Sequence, residues 1–235
     1  MAQQTQISRV VPHFERFVEN FPTVEALAAA PFRRVLGAWS GLGYNRRARF
    51  LHEAAQRIVA EGWPDSAAAL QALPGVGPYT AAAVASIAFG EPIAAVDTNA
   101  RRVLSRWEGV ELSGTGLQAA ADSELPASRA ADWNQAIMDL GAGHCRPRPH
   151  CVDCPVDPWC KDPSVYAPPA SQSTFAGSVR QARGAVLRKL LEEGVSPATV
   201  LTELGIEPNR LAAALESLHN DGLIKPSGEA WVIAD

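Results

Sequence analysis

Four cysteines lie within sixteen residues of one another, and the chain contains no others: Cys145, Cys151, Cys154 and Cys160. Four thiolates on so short a loop can bind a [4Fe–4S] cluster or a Zn²⁺ ion. The spacing favours iron–sulfur, because structural zinc sites usually use two separated Cys-x2-Cys pairs and this segment has one. Two disulfides are a further alternative, but the chain shows no secretory signal, which favours a reducing compartment.

A short glycine-containing segment, Leu73-Pro74-Gly75-Val76-Gly77-Pro78, lies between two predicted helices. Its two glycines permit a tight turn that brings backbone N–H groups close to an anion. The helix that starts near Tyr79 points its positive end the same way. The segment therefore predicts a site for a phosphate of a nucleic-acid backbone, although the same pattern also occurs in ordinary helix–helix turns.

A single carboxylate, Asp97, follows the apolar residues Ile93 to Val96 about twenty residues after that segment. A carboxylate that emerges from apolar surroundings is a candidate functional group. Asp97-Thr98-Asn99 is equally a good N-cap for the helix that follows. The two roles can coexist, and the sequence leaves both open.

Elsewhere the chain is predicted to be almost entirely helical. Apolar residues repeat at helical spacing from Ile7 to Val18, and Asn20-Phe21-Pro22 ends that helix. Pro64-Asp65-Ser66 predicts the start of a short helix, with Asp65 or Ser66 as its N-cap. Further helices are predicted at 23–30, 46–60, 79–89, 99–107, 117–124 and 133–140.

The C-terminal quarter reads as a separate unit. Residues 163–176 are rich in Pro, Ser and Ala and are predicted to be a linker. Helices are predicted at 179–193, 196–204 and 208–220, followed by a hairpin around Pro226-Ser227-Gly228. Three helices and a hairpin are typical of a winged-helix domain, which often places a helix in a DNA groove. A packing module or a protein-contact module is the alternative.

Charge is distributed unevenly along the chain. The net charge is −4, but residues 1–60 hold eight Arg and four Glu, so this segment carries 8 − 4 = +4. A basic segment on an acidic protein is either a phosphate-binding face or a solvated helix surface. No apolar run reaches the length of a membrane span. We therefore expect no membrane contact, and we also expect a monomer in the cytoplasm that is associated with the nucleoid.

Several segments together resemble the endonuclease III superfamily, the helix–hairpin–helix DNA glycosylases that carry an iron–sulfur loop. The similarity is strongest to the adenine DNA glycosylases, which remove adenine mispaired with 8-oxoguanine or guanine. The matching segments run in family order over residues 1–162. They are Gln3–Gln6, Trp39–Tyr44, Leu73–Ala81, Val96–Leu104, Asn134–Ala142 and the cysteine loop.

This resemblance implies a fold and a set of partners. The fold is mostly α, a helix–hairpin–helix glycosylase domain at 1–162 with a [4Fe–4S] loop at 145–160, plus a small winged-helix-like domain at 177–235. The cluster would be bound by Cys145, Cys151, Cys154 and Cys160. The expected partner is double-stranded DNA that contains a mismatched or oxidised base pair.

The resemblance also assigns roles to individual residues. Asp97, with Tyr79 and Asn99 beside it, matches the catalytic group, in which the carboxylate stabilises a cationic sugar. Tyr79 stands where lyase-active relatives have a lysine, and a phenol cannot form a Schiff base, so the enzyme is expected to be monofunctional. DNA contacts are expected from the hairpin, from residues that wedge the duplex, and from arginines. They are Gln3, Gln4, Tyr44, Leu73, Gly75, Val76, Gly77, Arg33, Arg34, Arg46, Arg47, Arg146 and Arg148.

Two departures from the family pattern stand out. The first gap between cysteines is five residues, where the family usually has six. The catalytic glutamate that protonates adenine in the family precedes the Met1-Ala2-Gln3-Gln4 segment by two residues, so we expect this chain to lack it. The missing glutamate indicates either a start assigned too late or a catalytically impaired, lesion-binding protein. A thymine-mismatch or other glycosylase of the superfamily is a separate alternative, because Tyr79 and Asp97 would suit that activity too.

Overall fold

The computed structural model describes residues 1–2, 5–165 and 174–235, apart from the side chains of residues 198 and 199. The described residues form twelve α-helices and three short strands. The helices are α1 (Ile7–Asn20), α2 (Val24–Ala28), α3 (Phe32–Trp39), α4 (Arg46–Glu61), α5 (Ala67–Leu70), α6 (Pro78–Ala88), α7 (Thr98–Glu108), α8 (Gly114–Glu124), α9 (Ala130–Gly143), α10 (Val179–Glu193), α11 (Ala198–Thr202) and α12 (Pro208–Asn220); the strands are β1 (Val195–Pro197), β2 (Ile224–Ser227) and β3 (Ala230–Ile233). The predicted mostly α fold is thereby confirmed.

Local sequence explains where several helices begin. Thr23 and Ser66 accept hydrogen bonds from backbone N–H groups in the first turns of α2 and α5, and Pro78 is the first residue of α6. Of the two predicted N-cap candidates for α5, Asp65 and Ser66, the structure uses Ser66. Among the described residues, no helix combines the length and the apolar character needed to cross a bilayer.

The chain divides into two compact units, Met1–Trp63 with Gln172–Asp235 and Pro64–Ser171. The first unit contains α1–α4, α10–α12 and the sheet, in which β3 lies between β1 and β2 and pairs antiparallel with both. The second unit contains α5–α9 and the cysteine loop. The domain boundaries expected from the sequence, at 162 and 177, stay a prediction, and most of the expected linker at 163–176 lies outside the described residues.

In the first unit, one continuous core joins both ends of the chain. Phe32, Val35, Leu36 and Trp39 of α3 belong to the same buried cluster as residues of α10, α12 and β3. The apolar stripe of α1 behaves differently from the expectation, because only part of it is buried. Val10 and Phe17 belong to the core, whereas Ile7, Val11, Phe14 and Val18 are exposed.

The second unit is built around α7 and α9, which pack against each other. Ala100 and Val103 of α7 contact Ile137 and Leu140 of α9, and Cys145 and Cys154 border the same cluster. The helices approach closely because α9 carries Gly141 at the crossing point. A methyl group at Gly141 would lie 2.8 Å from Asn99 Cβ, so any larger residue there would push the helices apart.

Candidate active site and cysteine centre

The glycine-containing segment forms a turn between α5 and α6, as the sequence predicts. Leu73 is buried and anchors the turn, and the N–H of Val76 donates to the carbonyl oxygen of Leu73 at 3.2 Å. Gly75 adopts a φ of 74°, which is the left-handed region that favours glycine. A methyl group at Gly77 would meet no protein atom within 4 Å, so the fold itself does not require glycine at that position.

Asp97 is the N-cap of α7, and both carboxylate oxygens accept hydrogen bonds. Oδ1 accepts from the N–H of Ala100 at 2.7 Å, and Oδ2 accepts from Nδ2 of Asn99 at 3.0 Å. The predicted capping role is thus present in the structure. Because both contacts fix the carboxylate on a helix N-terminus, its negative charge has a defined position and direction.

The extended segment that leads to Asp97 is held by a residue to which the sequence assigned no role. Asn134 of α9 is 1 % exposed, and its Oδ1 accepts from the N–H of Ala95 at 2.8 Å. Its Nδ2 donates to the carbonyl oxygen of Ile93 and to Oγ of Ser86, each at 2.9 Å. A polar residue within an apolar helix face was the available signal, since buried amides are retained where they satisfy backbone groups.

Tyr79 lies on the first turn of α6 and is half-buried. Its hydroxyl group contacts Sδ of Met138 at 3.2 Å. Burial, and secondarily the negative charge of Asp97, raise the pKa of the Tyr79 phenol above its ordinary value. The structure therefore brings Tyr79, Asp97 and Asn99 into one neighbourhood and keeps the phenol protonated near neutral pH.

Asn99 connects Asp97 to the start of the cysteine loop through Arg102. Nη2 of Arg102 donates to Oδ1 of Asn99 at 2.9 Å and to the carbonyl oxygen of Gly141 at 2.8 Å. Nε of Arg102 donates to the carbonyl oxygen of Cys145 at 2.6 Å. Buried guanidinium groups with several fixed acceptors are rigid connectors, because each bond lost would leave a polar group unsatisfied.

Arg106, one helical turn after Arg102, binds the cysteine loop more extensively. It is 2 % exposed and donates to the carbonyl oxygens of Arg146, Pro147 and Val165 at 2.7, 3.0 and 3.1 Å. Its Nη1 also lies 3.3 Å from Sγ of Cys145. The sequence indicated two arginines at i and i+4 on one helix, but not that both point into the protein.

The four cysteines line one cavity with about 400 Å³ of space, part of which is open to solvent. All four are half-buried thiols and none forms a disulfide, so the two-disulfide alternative has no counterpart in the structure. Burial, and then the neighbouring cysteines, raise the pKa of the Cys160 thiol. A metal centre would neutralise four thiolates held this close together. The cavity has apolar walls formed by Val103, Leu140 and Val156, and the Arg106 guanidinium lies beside the sulfur of Cys145. These surroundings fit a cluster that is partly shielded from water.

A second group of possible metal ligands lies on the same loop. His144, His150 and Asp153 place their ligand atoms within 4.8 Å of one another. Nδ1 of His150 is 2.8 Å from Oδ1 of Asp153, and Nδ1 of His144 is 3.4 Å from the same oxygen. The hydrogen bond from His150 is the largest cause of the lowered pKa of Asp153. An exposed histidine–aspartate hydrogen bond accounts for this arrangement without a metal ion.

The remaining candidate DNA-binding residues are distributed over both units. Tyr44 is 43 % exposed and, among the described residues other than glycine, is the one with positive φ, at 47°. Arg46 is exposed, whereas Arg33 and Arg47 are half-buried. Arg146 and Arg148 are exposed on the cysteine loop, and Nε of Arg146 donates to the carbonyl oxygen of Ala142. Gln3 and Gln4 lie outside the described residues.

Comparison with known proteins decides the family. The sequence profile of the HhH-GPD superfamily base excision DNA repair proteins matches residues 1–125. An adenine DNA glycosylase of Mycolicibacterium smegmatis is 37% identical over 245 aligned positions, which cover 97% of this chain and 83% of that protein. The chain belongs to the adenine DNA glycosylases of the HhH-GPD superfamily. This membership confirms the resemblance inferred from the sequence.

Other relatives match a smaller share of their own length. The human adenine DNA glycosylase is 42% identical over 172 residues, which are 68% of this chain and 32% of the human protein. The chain therefore spans about a third of the length of the mammalian relatives it matches.

Solved structures of the superfamily share the fold. A thermostable thymine-DNA glycosylase has a TM-score of 0.62 at 30% identity and covers 68% of this chain and 78% of its own. A trapped covalent complex of endonuclease III with DNA has a TM-score of 0.62 at 26% identity, and the match covers 69% of this chain and 79% of the endonuclease III chain.

Proposed function

We propose that the protein is a monofunctional DNA N-glycosylase of base-excision repair, which removes adenine mispaired with 8-oxoguanine or guanine. The observation that carries this proposal is the fixed carboxylate of Asp97. It sits on the N-terminus of α7, both of its oxygens are bonded, and it belongs to a chain whose family is that of the adenine DNA glycosylases.

The proposed chemistry follows from where that charge is held. As the glycosidic bond breaks, positive charge develops on the deoxyribose, and a preorganised carboxylate stabilises it. Asn99 and Arg102 keep Asp97 from rotating away, and the N–H of Ala100 fixes its second oxygen. Tyr79 has no amine to attack the sugar, so water is the nucleophile and the strand stays intact. Water supplies the hydroxyl group that adds to C1′ of the sugar, and its proton balances the one taken up by the departing adenine.

The same geometry supports a [4Fe–4S] cluster on Cys145, Cys151, Cys154 and Cys160. Such a cluster supplies a compact crosslink between the ends of the loop and a one-electron centre. The chain's own contribution is a cavity with apolar walls and the bonds from Arg102 and Arg106 to the loop backbone. Zinc remains the alternative occupant, because four thiolates also suit Zn²⁺.

Double-stranded DNA is the proposed partner. The hairpin, Tyr44, Arg46, Arg146 and Arg148 are its proposed contacts. The open space at Gly77 and the strained backbone of Tyr44 support this assignment, because close approach to a ligand and left-handed backbone both occur at functional sites. The hairpin would bind phosphate through backbone N–H groups, which positions the protein without reading sequence.

Release of free base from short duplexes tests the function. We expect adenine to be released from a duplex with adenine opposite 8-oxoguanine, and no protein–DNA adduct to form with borohydride, because Tyr79 cannot form a Schiff base. The structural similarity to a thymine-DNA glycosylase makes thymine opposite guanine the duplex to compare. Release of thymine but not adenine would favour that activity, and tight lesion binding without release of either base would favour a lesion-binding protein.

Loss of one thiol is expected to remove the metal centre. Cys151→Ser should reduce bound iron from about four atoms per chain to near zero and abolish the absorbance near 400 nm, since [4Fe–4S] clusters require four thiolate ligands. Iron analysis and absorbance of protein purified without oxygen measure this. Stoichiometric zinc without iron in the unsubstituted protein would contradict the cluster assignment.

DNA binding is expected to depend on salt despite the net charge of −4. Each phosphate contact should contribute roughly −0.9 to the slope of log affinity against log salt. Arg146→Ala and Arg148→Ala should each flatten this slope by about one contact. Arg129→Ala is the matched control, because Arg129 is exposed and paired with Asp132 at 3.0 Å. Equal slopes for all three variants would show that the cysteine loop does not touch phosphates.

A further inference from the structure

The C-terminal module, residues 174–235, shares a single core with the N-terminal helices. Val186, Leu187 and Leu190 of α10 and Ile233 of β3 lie in the same buried cluster as Phe32, Leu36 and Trp39 of α3. Gly37 on α3 faces this module, because a methyl group there would lie 4.0 Å from Cδ2 of Leu191. The module is therefore packed within the first unit, and its core is continuous with that of α3.

Polar contacts fix the module to the beginning of α3. The N–H of Arg33, in the first turn of that helix, donates to Oδ1 of Asp235 at 2.9 Å. The Arg33 side chain reaches across the boundary and donates through Nη2 to the carbonyl oxygen of Leu191. A carboxylate at a helix N-terminus stabilises that end of the helix, because it satisfies a backbone donor and opposes the helix dipole.

A second set of contacts fixes the module to α4. Nη1 of Arg49 donates to the carbonyl oxygen of Ala234 at 2.8 Å. Arg46 lies with Nε 3.7 Å from Oδ1 of Asp221, whose Oδ2 accepts from Arg183 at 2.6 Å. The last two residues of the chain and Asp221 thus hold both α3 and α4.

The turn between these two helices, residues 40–45, carries Tyr44. Nε1 of Trp39 donates to the carbonyl oxygen of Gly43 at 3.1 Å, and Nη2 of Arg47 donates to the same oxygen at 3.3 Å. The Arg47 guanidinium also stacks 5.2 Å from the Trp39 ring and 5.5 Å from the Tyr44 ring. The left-handed conformation of Tyr44 costs energy, so it depends on the fixed positions of the helix ends on either side.

The charge balance of the module is poorly suited to DNA. Residues 177–235 contain six Lys and Arg and eight Asp and Glu, a balance of 6 − 8 = −2. In α12, which occupies the position of a recognition helix, Arg210 is the one Lys or Arg, against Glu216. A DNA-reading helix needs cations toward phosphates, and this helix does not supply a row of them.

We propose that the C-terminal module is a positioning element for the Tyr44 turn and not a second DNA-reading domain. It holds α3 through Asp235 and Leu191 and α4 through Ala234 and Asp221, so that Tyr44 stays in its left-handed conformation. The consequence for DNA rests on the proposed role of Tyr44 in contacting the duplex. The positioning itself does not.

Hydrogen exchange of the turn tests the positioning directly. Asp221→Ala and Asp235→Ala should each accelerate amide exchange in residues 40–45 by about tenfold, because local opening becomes easier when the helix ends are released. Glu229→Ala is the matched control, since it removes an exposed acidic residue of the same module and should leave exchange at the turn unchanged. Unchanged exchange in both aspartate variants, with the module still folded by thermal unfolding, would overturn the proposal.

DNA affinity gives a second test, because positioning of the turn and the net charge of the module predict changes in affinity of opposite sign. Removing an acidic side chain should strengthen binding to a polyanion if only charge matters. Positioning predicts the reverse, so Asp235→Ala should weaken binding to the mismatched duplex by about three- to tenfold, while Glu229→Ala should not. Tighter binding in Asp235→Ala, together with unchanged exchange in residues 40–45, would overturn the positioning role.

A double-mutant cycle separates positioning from a general loss of stability. If the module acts through the turn, Asp235→Ala should have little further effect on affinity in a Tyr44→Ala background, because coupled residues are non-additive. Additive effects of the two substitutions on affinity would overturn the proposal. A loss of affinity in Arg210→Ala as large as that in Asp235→Ala would also overturn it, because Arg210 would then contact DNA. Faster exchange at the turn without any change in affinity would leave the positioning intact and refute the proposed DNA contact of Tyr44.

Discussion

Asp97→Asn is expected to slow the release of adenine by about 10²–10³-fold, the usual effect of removing one preorganised electrostatic partner of a transition state. The amide keeps the shape of the side chain, and its Oδ1 can still accept from the N–H of Ala100. What disappears is the negative charge that would face the cationic sugar, together with the oxygen that accepts from Nδ2 of Asn99. Single-turnover release of adenine measures the rate, and binding to the mismatched duplex should stay within about threefold of the unsubstituted protein.

Two variants control for the capping role of Asp97. Thr23→Ala removes an N-cap hydrogen bond from α2 and should cost about 1 kcal/mol in the free energy of unfolding without affecting adenine release. Asp97→Ala removes charge and cap together and should be both slow and less stable. If Asp97→Asn released adenine at the unsubstituted rate, the carboxylate would be a helix cap only.

Arg106→Leu is expected to have the largest effect on the integrity of the second unit. Its guanidinium satisfies three carbonyl oxygens and one sulfur in a buried position, and leucine would leave these acceptors unpaired. The free energy of unfolding should fall by about 3 kcal/mol or more, since each buried unsatisfied group costs about 1–3 kcal/mol. Bound iron should fall in parallel, because the backbone of Arg146 and Pro147 and the sulfur of Cys145 lose their partner.

The matched control lies on the same helix. Arg101 pairs with Glu111 and is about a third exposed, so Arg101→Ala should change the free energy of unfolding by less than about 1 kcal/mol. Arg106→Lys keeps the charge but not the planar fork that reaches several acceptors, and it should behave more like leucine than like arginine. Full iron content and normal thermal unfolding in Arg106→Leu would show that the loop folds without this anchor.

Periodicity and short-range chemistry predicted most of the helices. The predicted helix at 46–60 is α4 (Arg46–Glu61), and the helices predicted at 179–193 and 208–220 have the bounds of α10 and α12. Caps and breakers act within one turn of the chain, so a residue such as Ser66 or Pro78 fixes a helix start without help from distant residues. The predicted helix at 196–204 was wrong in its first part, because residues 195–197 pair with β3 as a third strand.

The burial of apolar residues could not be predicted in the same way. The stripe on α1 has helical period, yet Ile7 is 63 % exposed while Phe17 is buried. Periodicity shows which residues share a helix face, but which face is covered depends on the elements that pack there. The packing of the C-terminal module against α3 and α4 is likewise a long-range result that no local pattern indicated.

The sequence by itself determined the types and spacing of the chemical groups: four thiols on one loop, a glycine turn before a helix, and a carboxylate at the start of α7. These depend on residues close together in the chain. Only the tertiary structure decided that Asn134 holds the segment before Asp97, that Asn99 and Arg102 join Asp97 to Cys145, and that Arg106 points inward. Asn134 and Ala95 are 39 residues apart in the sequence, and Arg102 and Cys145 are 43 residues apart. Such contacts exist only once helix packing has brought distant backbone groups within hydrogen-bonding distance.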